Sequence, residues 1–152
     1  MNEIRVKRML LAGLAMLVVW VVVEVLVEQV FARILFGQSS QEMWLQGIEL
    51  RNSSALTYWV NSFIALLNCT LLIWLYASLR PMYGVGTKTA LITSAFGVIL
   101  MSSLFINLIN LGLFPLQLGL MEAVFEAIEF PIAMIAGAAI YEGKGNWSRT
   151  TG

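Results

Sequence analysis

Four long apolar runs constrain this chain more than any other feature, at about 9–36, 56–79, 89–113 and 116–141. Each reaches the ~20 residues that a helix needs to cross a hydrocarbon core of ~30 Å. A spanning strand needs only ~10 residues and alternates polar with apolar positions, which these runs do not do. The runs therefore predict an all-α fold: an integral membrane four-helix bundle that occupies all 152 residues as a single transmembrane domain. Composition agrees. Residues of the AVILMFWYC set make up 59% and charged residues only 12%, against about 25% charged in a soluble domain. That is too little polar surface to cover a water-facing globule.

Arg5, Lys7 and Arg8 precede the first run as the n-region of a secretory signal would. The apolar stretch is far longer than a signal h-region, and no small-x-small cleavage site follows it, so an uncleaved helix is expected. Basic residues then set the orientation. Arg5, Lys7, Arg8, Arg80, Lys88, Lys144 and Arg149 fall on one side of the four spans, and only Arg51 and Arg33 on the other. The positive-inside rule puts both termini in the cytoplasm. In the first outer loop, Met43, Trp44, Leu45 and Ile48 suggest a short interfacial helix, a depth that tryptophan favours. Gly112 to Pro115 break the third run from the fourth and predict a tight outer hairpin.

Several function classes drop out. Nine basic residues against nine acidic ones, with one cysteine, give no basic footprint for nucleic acid and no disulfide framework. The chain has no histidine, the usual ligand of zinc and haem and the usual general base. Gly86-Thr87-Lys88-Thr89 lacks the glycine before the lysine, and no strand precedes it, so no nucleotide site is read there. No catalytic residue is assigned.

All nine acids are glutamates, and five of them lie inside the runs: Glu24, Glu28, Glu122, Glu126 and Glu129. An acidic residue at a helix centre costs roughly 2.5 to 3.5 kcal/mol on insertion scales, so five cannot face lipid unaided. Helical geometry groups them. Glu24 and Glu28 share a face within ~40°, and Glu122, Glu126 and Glu129 share one within ~60°. Thr57, Asn61 and Asn68 align on the second helix, and Ser103, Asn107 and Asn110 on the third. One polar stripe per helix is the pattern of a bundle with a polar interior. At ~1.5 Å per residue, Glu28 matches Glu126 at ~12–13 Å from the outer ends, and Glu24 matches Glu129 at ~18 Å. Below these levels the stripes turn small, at Gly13, Ala133, Ala136 and Gly137. The expectation is tight packing in the cytoplasmic half and a polar cavity in the outer half. Arg33 points ~140–180° away from Glu24 and Glu28, so the cluster has no cation of its own in this reading. Protons or a bound cation must offset the charge.

The candidate cation or proton site is thus Glu24, Glu28, Glu122, Glu126 and Glu129 with Asn61, Asn68, Asn107 and Asn110. If a metal binds, Glu24, Glu28, Glu126 and Glu129 are the ligands, and their hard oxygens favour Mg²⁺, Ca²⁺, Mn²⁺ or Na⁺. The leading expectation is a cation or proton pathway. The alternative is a structural or accessory subunit of a larger membrane complex, whose polar stripes fix helix order. A carboxylate-only dimetal enzyme is a third reading, set back because di-iron bundles need a Glu-x-x-His on two helices. So thin a bundle also suggests a homo-oligomer or a place in a larger assembly.

Around the second-to-third helix turn, Trp74-Leu75-Tyr76-Ala77-Ser78-Leu79-Arg80-Pro81 is followed by Gly84, Gly86, Lys88, Thr89 and Ala90. With the opening Met9-Leu10-Leu11-Ala12-Gly13-Leu14, this resembles a group of uncharacterised bacterial four-span integral membrane proteins of similar length. The resemblance implies a bacterial inner-membrane location and no activity. The turn also has a plain physical reading: Arg80 anchors at the headgroups, Pro81 stops the helix, and Gly84 and Gly86 allow the reversal. The tail from Glu142 onward reads as short, polar and frayed.

Overall fold

The computed structural model of the chain describes residues 6–27, 30, 33–37, 55–143 and 147. Glu28, Arg51 and the expected interfacial helix of the first outer loop lie outside the described residues. The fold is all-helical. Its elements are α1 (Val6–Val27), a one-turn α2 (Arg33–Phe36), α3 (Ala55–Tyr83), α4 (Thr87–Asn110) and α5 (Leu116–Glu142). Four of these helices are long and apolar enough to cross a membrane: Val6–Val27, Trp59–Tyr83, Thr87–Asn110 and Leu116–Glu142. The described part of the first run is helical over Val6–Val27, taking in Lys7 and Arg8, and again over Arg33–Phe36, with residues 28, 29, 31 and 32 outside the described residues.

The helices pack in the ring order α1, α5, α4, α3, with α3 and α5 also touching across the diagonal. The α3–α4 turn and the chain end that follows α5 lie at one end, called the basic end here for Lys7, Arg8, Arg80 and Lys88. The α4–α5 hairpin lies at the other. At the hairpin, the Leu113 amide donates to Leu108 O (3.0 Å) and the Gly112 amide to Ile109 O (2.9 Å), with Gly112 at φ 70°. This Schellman pattern satisfies the last carbonyls of α4, and glycine takes the left-handed position at no steric cost. Pro115 then caps α5 in an extended conformation. Pro131 lies within α5, which continues past it to Glu142.

At the basic end, Pro81 does not stop α3. The helix continues to Tyr83 and ends at Gly84, whose φ is 88° and whose amide donates to Arg80 O (2.9 Å). Glycine ends this helix because the left-handed residue there would strain any side chain.

Two apolar clusters form the core. The one toward the basic end draws on all four long helices, with Ala12, Met16, Cys69, Ile73, Tyr76, Ala90, Met134 and Ala138 among its members. Small residues let the backbones approach. A Cβ on Gly137 would lie 2.8 Å from Ile73 Cδ1 and 3.2 Å from Ala12 O. One on Gly13 would lie 2.5 Å from Thr70 Oγ1 and 3.0 Å from Thr70 Cα. Thr70 Oγ1 donates to Leu66 O (2.8 Å), so that side chain cannot turn aside without losing its bond. Gly13→Ala should therefore lower stability by about 1–3 kcal/mol, read as a shift in the unfolding midpoint in detergent. An unshifted midpoint would show that α1 and α3 are not in this contact. The tight packing expected of this half is present.

The second cluster, toward the hairpin, joins Val27, Phe114, Leu118, Met121 and Phe125, with Val23, Phe105, Leu108 and Ile109 packed against it. These come from α1, α4, α5 and the hairpin, and among the described side chains none comes from α3. Ser62 lies seven residues before buried Cys69 on the same face of α3, yet it is exposed, as are its described neighbours from Trp59 to Ile64.

Candidate carboxylate site

Between the two apolar clusters lies a polar layer. Glu126 and Glu129 are buried on α5, at 5% and 3% exposure. Phe125 belongs to the cluster above them and Phe130 to the one below. Their i, i+3 spacing puts both carboxyls on the inner face of α5. Glu24 on α1 and Glu122 on α5 are half-buried. The Glu126 carboxyl lies in the fields of Glu129, Glu122 and Glu24, and the Cys69 thiol of α3 lies in the field of Glu126. Four of the five expected glutamates are thus brought together, and the fifth, Glu28, is outside the described residues.

The register between α1 and α5 is not the expected one. Trp20 Nε1 donates to Glu129 Oε2 (3.1 Å), and the Trp20 ring packs on Phe130 at 5.4 Å between centroids. Trp20 therefore sits opposite Glu129, with Glu24 one turn nearer the hairpin. Trp20 was missed, although its spacing to Glu24 puts it on the same face. Glu126 Oε2 is buried and has no hydrogen-bond partner among the described residues.

The asparagines depart from expectation altogether. Asn61, Asn68, Asn107 and Asn110 are all exposed, as is Ser103. Asn107 Nδ2 donates to Ser103 O (2.9 Å) and Ser103 Oγ to Ile99 O (2.7 Å), so both are served by their own helix. The four stripes do not converge. Among the described residues only the glutamate stripes of α1 and α5 meet, because in the hairpin half α4 turns its apolar side inward and no described α3 side chain enters the core. Among the described residues, no group of three His, Cys, Asp or Glu side chains is arranged to hold a metal ion.

A second polar group closes the basic end. Arg80 Nη1 donates to both carboxylate oxygens of Glu142 (2.9 and 3.1 Å), with the glutamate side chain 1% exposed and the arginine 17%. The Tyr76 hydroxyl accepts the Gly86 amide (3.2 Å) and lies close to the same carboxylate. The Arg80 guanidinium lies 5.4 Å over the Tyr141 ring, and Arg8 Nη1 donates to Glu142 O (3.5 Å). Arg80 is thus held in an ion pair at the end of α3. One reading is corrected here: Glu142 is the buried end of α5 rather than the start of a frayed tail. Tyr76, Arg80 and Gly86 of the turn motif all meet at this one carboxylate or its partners.

No known protein family, curated protein or solved structure matches the chain.

Proposed function

We propose that this is a multi-pass protein of a bacterial inner membrane, with both termini cytoplasmic, in which the carboxylate layer around Glu126 takes up protons or a hard cation from the outer side. The observation that carries the reading is Glu126: a carboxyl buried at 5% exposure, with an unpartnered oxygen among the described residues and three further glutamates around it. Ionisable groups inside spans are costly and are kept where they move or bind charge. A carboxyl in an apolar layer is accommodated when a proton or a cation offsets its charge.

Access supports the same side. The layer is closed toward the basic end by four-helix packing and the Arg80–Glu142 pair, while toward the hairpin the described α3 side chains, Ser62 among them, are exposed. The decisive measurement is flux in liposomes holding the purified protein, with a pH-sensitive dye inside and Na⁺ and Mg²⁺ gradients run in parallel. The protein should pass protons above empty liposomes, and Glu126→Gln should return uptake to that background. Equal flux in both, or none in the parent, sinks the proposal.

A second reading has its own support. Outward-facing asparagines on α3 and α4 suit an accessory subunit of a larger membrane complex. Purification in a mild detergent separates the two, since a stable foreign partner at fixed stoichiometry favours the accessory role.

A further inference from the structure

A carboxamide that faces hydrocarbon is expensive, because lipid tails offer it neither donor nor acceptor. Asn68 is exposed near the middle of α3, 13 residues after Ala55 and 15 before Tyr83. At ~1.5 Å per residue it lies roughly 20 Å from either helix end, deep in the apolar layer. Asn61 is exposed seven residues earlier on the same face. Neither side chain has a hydrogen bond within the described residues. Around them, Trp59, Val60, Phe63, Ile64 and Leu67 are 47% or more exposed. The next residues along α3, Cys69 and Thr70, are buried, so the asparagine side is the one this helix turns away from its own bundle.

We infer that the Asn61/Asn68 face of α3 is the interface between two copies of this chain, paired about a two-fold axis along the membrane normal. The argument is complementarity. A carboxamide carries both donors and an acceptor, so it pairs with another carboxamide. Two copies with the same topology in one membrane present parallel α3 helices, and the two-fold axis brings Asn61 to Asn61 and Asn68 to Asn68 at equal depth. A different partner would have to supply polar groups at both depths, whereas a second copy does so by construction. The seven-residue spacing keeps both amides on one seam of a helix pair, and polar side chains across such seams hold membrane helices together. The site proposed for Glu126 is on another face and does not depend on this pairing.

The test is disulfide trapping in native membranes, in a Cys69→Ala background. Asn61→Cys and Asn68→Cys should each give a covalent species of twice the chain mass on mild oxidation. Val21→Cys and Val25→Cys, at exposed positions of α1, should give little. In detergent, Asn68→Leu should weaken the dimer by about tenfold and Asn68→Gln by much less, since an interhelical amide bond is worth about 1–2 kcal/mol in model helices. Each variant is first shown to elute as a single symmetric peak with the parent's helical content, so loss of pairing is not loss of fold. A covalent product of another mass, equal trapping at the α1 positions, or no trapping in a folded variant overturns the inference.

Discussion

Arg80→Ala should destabilise the protein by about 3–5 kcal/mol, the usual result of removing one member of a buried ion pair. The size follows from what is left behind. The Glu142 side chain is 1% exposed, and without the guanidinium its charge loses the cation that pairs with it. The arginine also covers the Tyr141 ring, so its loss opens an aromatic face that packs edge-on against Tyr76 at 6.2 Å. Arg80→Lys should recover part of the loss, because lysine keeps the charge but lacks the planar fork. Arg80→Met with Glu142→Gln should recover more, since no buried charge then remains uncompensated. Stability measured by denaturant titration in mixed micelles reads all three. If Arg80→Ala lies within about 0.5 kcal/mol of the parent, the pair is a surface contact of ordinary worth.

Glu126→Met should act in the opposite direction on stability. Methionine has similar volume and flexibility, and it removes a carboxyl whose second oxygen has no partner among the described residues. Replacing buried polar groups of this kind by well-packed apolar ones is often stabilising, by about 1–4 kcal/mol where ion pairs have been exchanged. A carboxyl retained for function is a standing cost to the fold, and its removal raises stability while ending activity. The expected result is a higher unfolding midpoint together with loss of proton uptake. A lower midpoint would instead mark Glu126 as a structural hydrogen-bonding residue, as the accessory-subunit reading requires. This measurement separates the two readings without knowledge of the substrate.

The four helices were legible because length and hydropathy decide them locally. The expected limits of the last three runs fall within four residues of the helix ends found, at 55–83, 87–110 and 116–142. The glutamates of α5 were legible as well, since their spacing alone puts Glu126 and Glu129 on one face, and both are buried. What failed was everything that depends on a neighbouring helix. A stripe of asparagines has the same spacing whether it faces the bundle or leaves it, so periodicity could not tell the outward stripes of α3 and α4 from the inward stripe of α5. Trp20 was hidden among apolar residues, because its role as a donor exists only once Glu129 is placed opposite it. Glu142 looked like the start of a tail, because its partner Arg80 is 62 residues away in the chain.

The sequence by itself determined that four apolar helices form, where two of the turns lie, and that its acids concentrate on α1 and α5. Each of these is a property of a segment: its length, its hydropathy, its glycines, the spacing of its charges. Tertiary structure alone decided that Trp20 rather than Glu24 sits opposite Glu129, that Arg80 and Glu142 close one end, and that the asparagines of α3 and α4 face outward. Those outcomes are set by helix order, register and tilt. All three are governed by contacts between faces that are equally apolar in sequence, so the choice among them rests on packing of small residues at Gly13, Gly97 and Gly137 and on a few polar partners.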